Sequence, residues 1–212
     1  MKNIVIFGDS YSTFWNCIPE GYATFYSPDD LDYADVNKKE QTWWWLFAAE
    51  TGVNIVRNDS WSGSTIGYTG YENTDCSRTS SFIKRFRDLL AQDFFNKNKI
   101  DGAIVFGGTN DSWAGAPVGK LKYSDWEEKD LYEVLPAVCY LMNAVKAQFG
   151  GKNTVFLVNS ELNPEIEEGI CEAARHYGVI AVKVGNIEKM NCHPTKKGMA
   201  EISRKLIAAL SD

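Results

Sequence analysis

Five short runs rich in Val and Ile recur along the chain, each followed by a loop containing Gly, Asn, Asp or Ser and then by a longer segment of helical period. The runs are Asn3 to Phe7, Val53 to Asn58, Gly102 to Phe106, Thr154 to Asn159 and Val179 to Val184. Their near-continuous apolarity is that of strands covered on both faces. Helical periodicity falls at Gln41 to Thr51, Ser80 to Gln92, Asp130 to Phe149, Pro164 to Tyr177 and Thr195 to Leu210. Right-handed crossovers between parallel strands put such helices on both sides of the sheet, so the pattern predicts an α/β protein: a three-layer α/β/α sandwich with a five-stranded parallel sheet. With 212 residues, 44% of them hydrophobic, the chain supplies one full core and leaves little room for two, so residues 1–212 are read as a single domain.

Composition removes several classes of function. A net charge of −6, with no dense Lys/Arg stripe, argues against nucleic acid as a partner. No window approaches the roughly 18 uninterrupted apolar residues of a membrane span, and the four apolar residues after Asn3 are too few for a secretion signal, so a soluble, cytoplasmic protein is expected. Five scattered cysteines (Cys17, Cys76, Cys139, Cys171, Cys192) form neither a CxxC pair nor a zinc spacing, and a reduced compartment is expected. No loop has the GxGxxG or GxxxxGK[ST] spacing that cradles phosphate, which disfavours a nucleotide-binding reading of the same strand pattern.

Two connections are unusually long, Tyr11 to Glu40 after the first strand and Asn110 to Lys129 after the third. Both leave the carboxyl ends of strands, the edge at which open α/β sheets bind ligands, so both are expected to shape a pocket there. Whether the first closes a cleft or joins subunits stays open, as does the oligomeric state. Four polar groups converge on that edge. Gly8-Asp9-Ser10 ends the first strand and presents a hydroxyl, Asn58 to Gly63 ends the second, and Gly107-Gly108-Thr109-Asn110-Asp111 ends the third with a carboxamide. His193-Pro194 precedes the last helix. Taken singly, each is more often a turn or cap than a catalytic group. Together, in the order Ser, Gly, Asn, His, they are hard to explain as coincidence. The second histidine, His176, reads as a surface or helix-capping residue.

These blocks, GDSY, Asn58 to Gly63, GGTND and NCHPTKKGM, resemble in order and over nearly the whole chain those of the SGNH hydrolases, also called GDSL-type esterases and lipases. The resemblance implies a flavodoxin-like α/β/α fold and hydrolysis of a small-molecule carboxylic ester through an acyl-Ser10 intermediate, without metal or cofactor. It makes Ser10 the nucleophile and His193 the general base, with the N–H groups of Ser10 and Gly63 and the side chain of Asn110 as oxyanion hole. One position departs. The family's last block has Asp three residues before the His, and here that residue is Met190. A thioether cannot orient an imidazole or stabilise its cation. Three arrangements remain open: Glu188 swinging in; a main-chain carbonyl near Met190 or Asn191, or Asn191 itself, which the spacing favours over Glu188; or an unassisted Ser-His dyad. A fourth reading is a retired, non-catalytic fold.

Trp15, Trp61 and Trp113 each follow a block by a few residues and are candidate substrate-binding indoles, with Tyr11, Phe14 and Tyr68 nearby. Packing of the loops onto the sheet is expected to use at least half of these six. Trp43-Trp44-Trp45 lies in a helical segment, where successive residues diverge, so one or two are expected to be buried. Cys192 reads as structural rather than as a ligand. The indoles, and the lack of a long apolar lid, favour an acylated carbohydrate as substrate; a short-chain acyl esterase or thioesterase, an acyltransferase and a carbohydrate-binding protein on the same fold are the alternatives.

Overall fold

Side chains alternate across a strand, and here both sets are apolar, so each strand feeds two cores. In the computed structural model, which describes residues 1–29, 33–159 and 161–211, Val5 and Phe7 of β1 (Asn3–Gly8) face one core, and Ile4 and Ile6 face the other. After α1 (Trp43–Thr51) and β2 (Asn54–Ser60) come α2 (Phe82–Ala91), a single-turn α3 (Phe94–Lys97), β3 (Gly102–Phe106) and a short α4 (Thr109–Trp113). Then follow α5 (Val134–Phe149), β4 (Thr154–Asn159), α6 (Pro164–Tyr177), β5 (Ile180–Gly185), a hairpin of β6 (Lys189–Met190) and β7 (His193–Pro194), and α7 (Lys196–Ser211). Ala103, Val105, Phe156 and Val158 join the first core beneath α2, α5 and α6. Ile104, Phe106, Val155 and Leu157 join the second beneath α1 and α7. The expected three layers and five parallel strands are present.

The strand order is β2-β1-β3-β4-β5, all parallel. Because β2 and β3 flank β1 on opposite sides, the chain reverses its direction of winding between β1 and β3. The loops leaving those two strands part there and open a crevice at their carboxyl ends. Ser10 follows β1 and Asn110 follows β3, so topology alone brings them to one place.

Element ends differ from the sequence reading for local reasons. The helices expected from Gln41, Ser80 and Thr195 begin one or two residues later, because Thr42, Ser81 and Thr195 serve as N-caps: their hydroxyls accept from Trp45, Lys84 and Gly198 N–H. The helix expected from Asp130 begins at Val134; a separate 3-10 turn covers Glu128–Tyr132. The second and fifth strands are shifted by one or two residues, and α3, α4 and the hairpin were too short to leave a periodic signal. Of the tryptophan run, Trp43 and Trp44 are buried, with Trp43 packed edge-on to Phe106. Among the described residues no helix is long and apolar enough to cross a membrane.

Gly8 ends β1 where three chain segments crowd. A Cβ there would lie 2.5 Å from Ser12 Cβ and from Ser60 Oγ. Gly8→Ala must displace the turn that follows β1 or the end of β2, and overpacking of this kind costs roughly 1–3 kcal/mol. A urea titration is expected to show a lowered midpoint for this variant with an unchanged slope.

Candidate active site

The turn that carries Ser10 is set by Asp9. Its carboxylate accepts the Tyr11 N–H at 3.0 Å, and the chain folds into a 3-10 turn over Ser10–Ser12, closed by Thr13 N–H on Ser10 O at 3.2 Å. Ser10 is 4% exposed, so its hydroxyl sits at the floor of the crevice.

His193 reaches it from the hairpin. Met190 pairs with His193, and the two residues between them, Asn191 and Cys192, both have positive φ, 48° and 64°. That is the geometry of a tight two-residue hairpin turn; Asn suits its first position, whereas Cys stands where glycine is preferred. The turn aims the Asn191 carbonyl back at the ring. His193 Nδ1 lies 2.9 Å from Asn191 O and Nε2 lies 2.9 Å from Ser10 Oγ. A carbonyl only accepts, so Nδ1 carries the proton and Nε2 offers a lone pair to the serine hydroxyl. Glu188 is turned away. Its carboxylate accepts from Thr195 Oγ1 at 2.8 Å and pairs with Lys197 at 3.1 Å, while the Asn191 side chain donates to Tyr33 O at 3.1 Å. Of the arrangements open to the sequence, the geometry is that of the main-chain carbonyl.

Aromatic residues hold the turn and the ring. Tyr11 Oη donates to Cys192 O at 2.6 Å and Tyr26 Oη to Pro194 O at 2.9 Å. Phe25 stacks face to face on His193, with centroids 3.5 Å apart and 9° between planes; Trp113 stands edge-on at 6.1 Å. Burial pushes the His193 pKa below its usual value, and the Lys189 charge adds to this against the opposing bond to Asn191.

On the other side of the crevice Asn110, 3% exposed, donates from Nδ2 to Ser64 O at 3.0 Å and accepts the Tyr71 hydroxyl on Oδ1 at 2.8 Å. Asp111 beside it accepts the N–H groups of Ile66 (3.0 and 2.9 Å) and Gly67 (3.1 Å), tying α4 to the segment after Gly63. Gly63 has φ +80°, a left-handed conformation that favours glycine, and open space where a side chain would be.

Ser10 and His193 are in contact, with Trp113 against the ring, and Asn110 follows the neighbouring strand at the same edge of the sheet. Trp61 is half-buried and pairs with Tyr22 at 4.2 Å, and Trp15 is 55% exposed. Tyr11, Phe14 and Tyr68 are buried. His176 is exposed at the end of α6, stacked on Tyr123 at 3.8 Å, and Cys192 is exposed in the turn. Sequence reasoning missed Phe25, Tyr26 and Tyr71. The long insertion carrying the first two was the only hint, since nothing local marks a residue whose partner is 168 positions away.

Two carboxyls beneath the site are wholly buried. Burial raises Asp9 to about 7, with Asp111 adding to the rise and the Tyr11 N–H, the Thr109 hydroxyl and Arg85 opposing it; burial likewise raises Asp111 to about 6. Between the usual carboxylate pKa and these values the native state holds protons that the unfolded chain has released. The stability these two groups contribute therefore falls as pH climbs from about 4 to 7. Asp9→Asn removes one of the two groups, and chemical unfolding across that range is expected to show a shallower decline than in the unsubstituted protein.

The model of the GDSL-like lipase/acylhydrolase family matches residues 2–210. Crystal structures of proteins assigned to the GDSL-like lipases from Bacteroides uniformis and Bacteroides ovatus are 39% and 35% identical, superpose with TM-scores of 0.90 and 0.88, and are covered over 96% and 98% of their length by the whole of this chain. A carbohydrate esterase, 15% identical and covered over 68% of its length by this whole chain, shares the fold with a TM-score of 0.66. No functionally curated protein matches. The chain belongs to the GDSL-like lipase/acylhydrolase family.

Proposed function

We propose that the protein is a serine esterase that hydrolyses carboxylic esters through an acyl-Ser10 intermediate, its substrate an O-acylated carbohydrate. The observation that carries this reading is the 2.9 Å contact between Ser10 Oγ and His193 Nε2, with the tautomer set by the Asn191 carbonyl. As Ser10 Oγ bonds to the ester carbonyl carbon, its proton passes to Nε2. The carbonyl oxygen gains the negative charge and is received by the N–H groups of Ser10 and Gly63 and by Asn110 Nδ2, donors each worth about 10² to 10³ in rate at such positions. Collapse breaks the C–O bond of the leaving alcohol, which takes the proton from Nε2. Water then bonds to the acyl carbon, giving a proton to Nε2; the bond from that carbon to Ser10 Oγ breaks and Oγ takes the proton back from Nε2, leaving the carboxylic acid and free Ser10.

Among the described residues the imidazolium formed in each half-reaction has no carboxylate behind it. The Asn191 carbonyl dipole and the face of Phe25 serve in its place, the latter as a cation–π surface. A sugar as the alcohol portion is supported by the indoles around the crevice, Trp113 first and Trp15 and Trp61 further out, since an aromatic face stacks on the apolar face of a pyranose. Likeness in fold to a carbohydrate esterase points the same way.

Fluorophosphonate labelling read by intact mass tests the nucleophile without knowledge of the substrate. The unsubstituted protein is expected to gain one adduct, and Ser10→Ala and His193→Ala none; an unlabelled parent protein, or a labelled Ser10→Ala, rejects the reading. Because the base must be neutral and its pKa is depressed, the acid limb of kcat/KM on an aryl acetate is expected below pH 6.5, the ordinary value for histidine.

A further inference from the structure

Asn110 is a primary amide, and a rotation by half a turn exchanges its oxygen and nitrogen. Only one of the two orientations can donate into the crevice. Its Nδ2 has two hydrogens; one goes to Ser64 O at 3.0 Å, which leaves the other for a ligand. In the reversed orientation Oδ1 would oppose both the Ser64 carbonyl and any developing oxyanion. The Ser64 carbonyl, which only accepts, fixes that orientation, and the Tyr71 hydroxyl, 39 residues away, then donates to the remaining Oδ1 at 2.8 Å.

The segment carrying Tyr71 is built to place it. Thr69 bridges Asp75 in antiparallel fashion, Gly70 N–H donates to Thr74 O at 2.8 Å and Thr74 N–H to Tyr71 O at 3.0 Å, closing a tight loop. Its base is fastened to the chain before α5: Tyr68 N–H donates to Leu131 O at 2.8 Å and Thr69 Oγ1 to Tyr132 O at 2.7 Å. At its tip Glu72 and Asn73 both adopt positive φ, 55° and 57°. Two successive non-glycine residues in the left-handed region are maintained only where the surroundings over-determine them. Tyr71 itself is 42% exposed, so burial of its ring does not account for that conformation. Desolvation, and to a lesser extent the charges of Asp9 and Asp111, raise its pKa above the usual phenol value, so the hydroxyl keeps its proton and donates throughout the neutral range.

We infer that Tyr71 is a positioning residue of the reaction: its hydroxyl anchors the Oδ1 end of the Asn110 amide, whose orientation the Ser64 carbonyl sets, and, by withdrawing electron density through Oδ1, sharpens the N–H that receives the charge. Linked hydrogen bonds polarise one another in this way. The inference deepens the proposed esterase reading and rests on it for its kinetic expression. The donor of the Tyr71 bond is the loop after β2 and its acceptor the turn after β3, so the oxyanion site is completed by a residue outside all four sequence blocks.

The test is a double-mutant cycle on an aryl acetate with Tyr71→Phe, Asn110→Ala and the double variant. Phenylalanine keeps the ring and removes only the hydroxyl. Loss of one neutral hydrogen bond predicts a kcat lowered roughly 3- to 10-fold in Tyr71→Phe, with KM and the acid limb of the pH profile unchanged. The double variant is expected to be no slower than Asn110→Ala alone. An unchanged kcat in Tyr71→Phe, losses that multiply in the double variant, or a change confined to KM each overturns the inference. A second readout needs no turnover. In 15N-labelled protein the Asn110 side-chain NH2 pair, assigned by its loss in Asn110→Ala, is expected to shift in Tyr71→Phe, and an unmoved pair overturns the inference whether or not the protein hydrolyses esters. Failure of the esterase reading shows separately, as equal rates for the parent protein and Ser10→Ala.

Discussion

A buried guanidinium holds the crevice together. Arg85 of α2, 1% exposed, bonds Asp59 Oδ1 at 2.9 Å and the Asp59 carbonyl, and reaches Gly8 O at 3.2 Å, Ser64 Oγ at 3.1 Å and Ser80 O at 2.9 Å. It thereby fastens the end of β1, the end of β2 and the loop after Gly63 to one rigid plane of donors. Burial alone would lower its pKa, and the Asp59 charge opposes that. Losing one partner of such a pair strands a charge in the interior, at a cost of about 3–5 kcal/mol. Ser10 begins two residues beyond Gly8, and Ser64 is the acceptor of Asn110. The Ser10 turn and the Asn110 carboxamide are thus tied through this cation.

Against that fixed floor the histidine arm is held differently. A carboxylate in this fold would both orient the imidazole and stabilise its cation. Here the two tasks are divided: the Asn191 carbonyl and the tyrosine bonds to Cys192 O and Pro194 O orient, and the Phe25 face at 3.5 Å meets the charge. A neutral dipole stabilises an imidazolium less than a full charge does, and Lys189 adds a nearby cation that lowers the basicity of the ring. The arrangement suits a base that stays neutral into mildly acidic solution. The long insertion after β1, whose purpose the sequence left open, supplies Phe25 and Tyr26 to this arm.

How far the sequence could be read follows from the range of each interaction. Strands β1, β3 and β4 were legible because burial on both faces demands unbroken apolar runs, and α6 because its apolar positions recur at helical spacing before Gly178. The hairpin β6–β7 was not, because two-residue strands have no period, and Cys192 at positive φ sits where turn chemistry would ask for glycine. Ser10, Gly63, Asn110 and His193 were legible as residue types at strand ends. Glu188 stood as a candidate partner for His193 because it precedes it by five residues, and only in three dimensions is it seen committed to Thr195 and Lys197.

By itself the sequence determined the layered α/β architecture, the edge of the sheet at which polar groups collect, and the family, since these follow from hydrophobic periodicity and from blocks of neighbouring residues. Tertiary structure decided what surrounds these groups: a main-chain carbonyl on His193 Nδ1, Phe25 against the imidazole, Tyr71 against Asn110. Each of these depends on a backbone direction or a contact between distant loops. Such contacts are fixed by how the whole core packs, and a carbonyl, common to every residue, leaves no mark in the order of side chains.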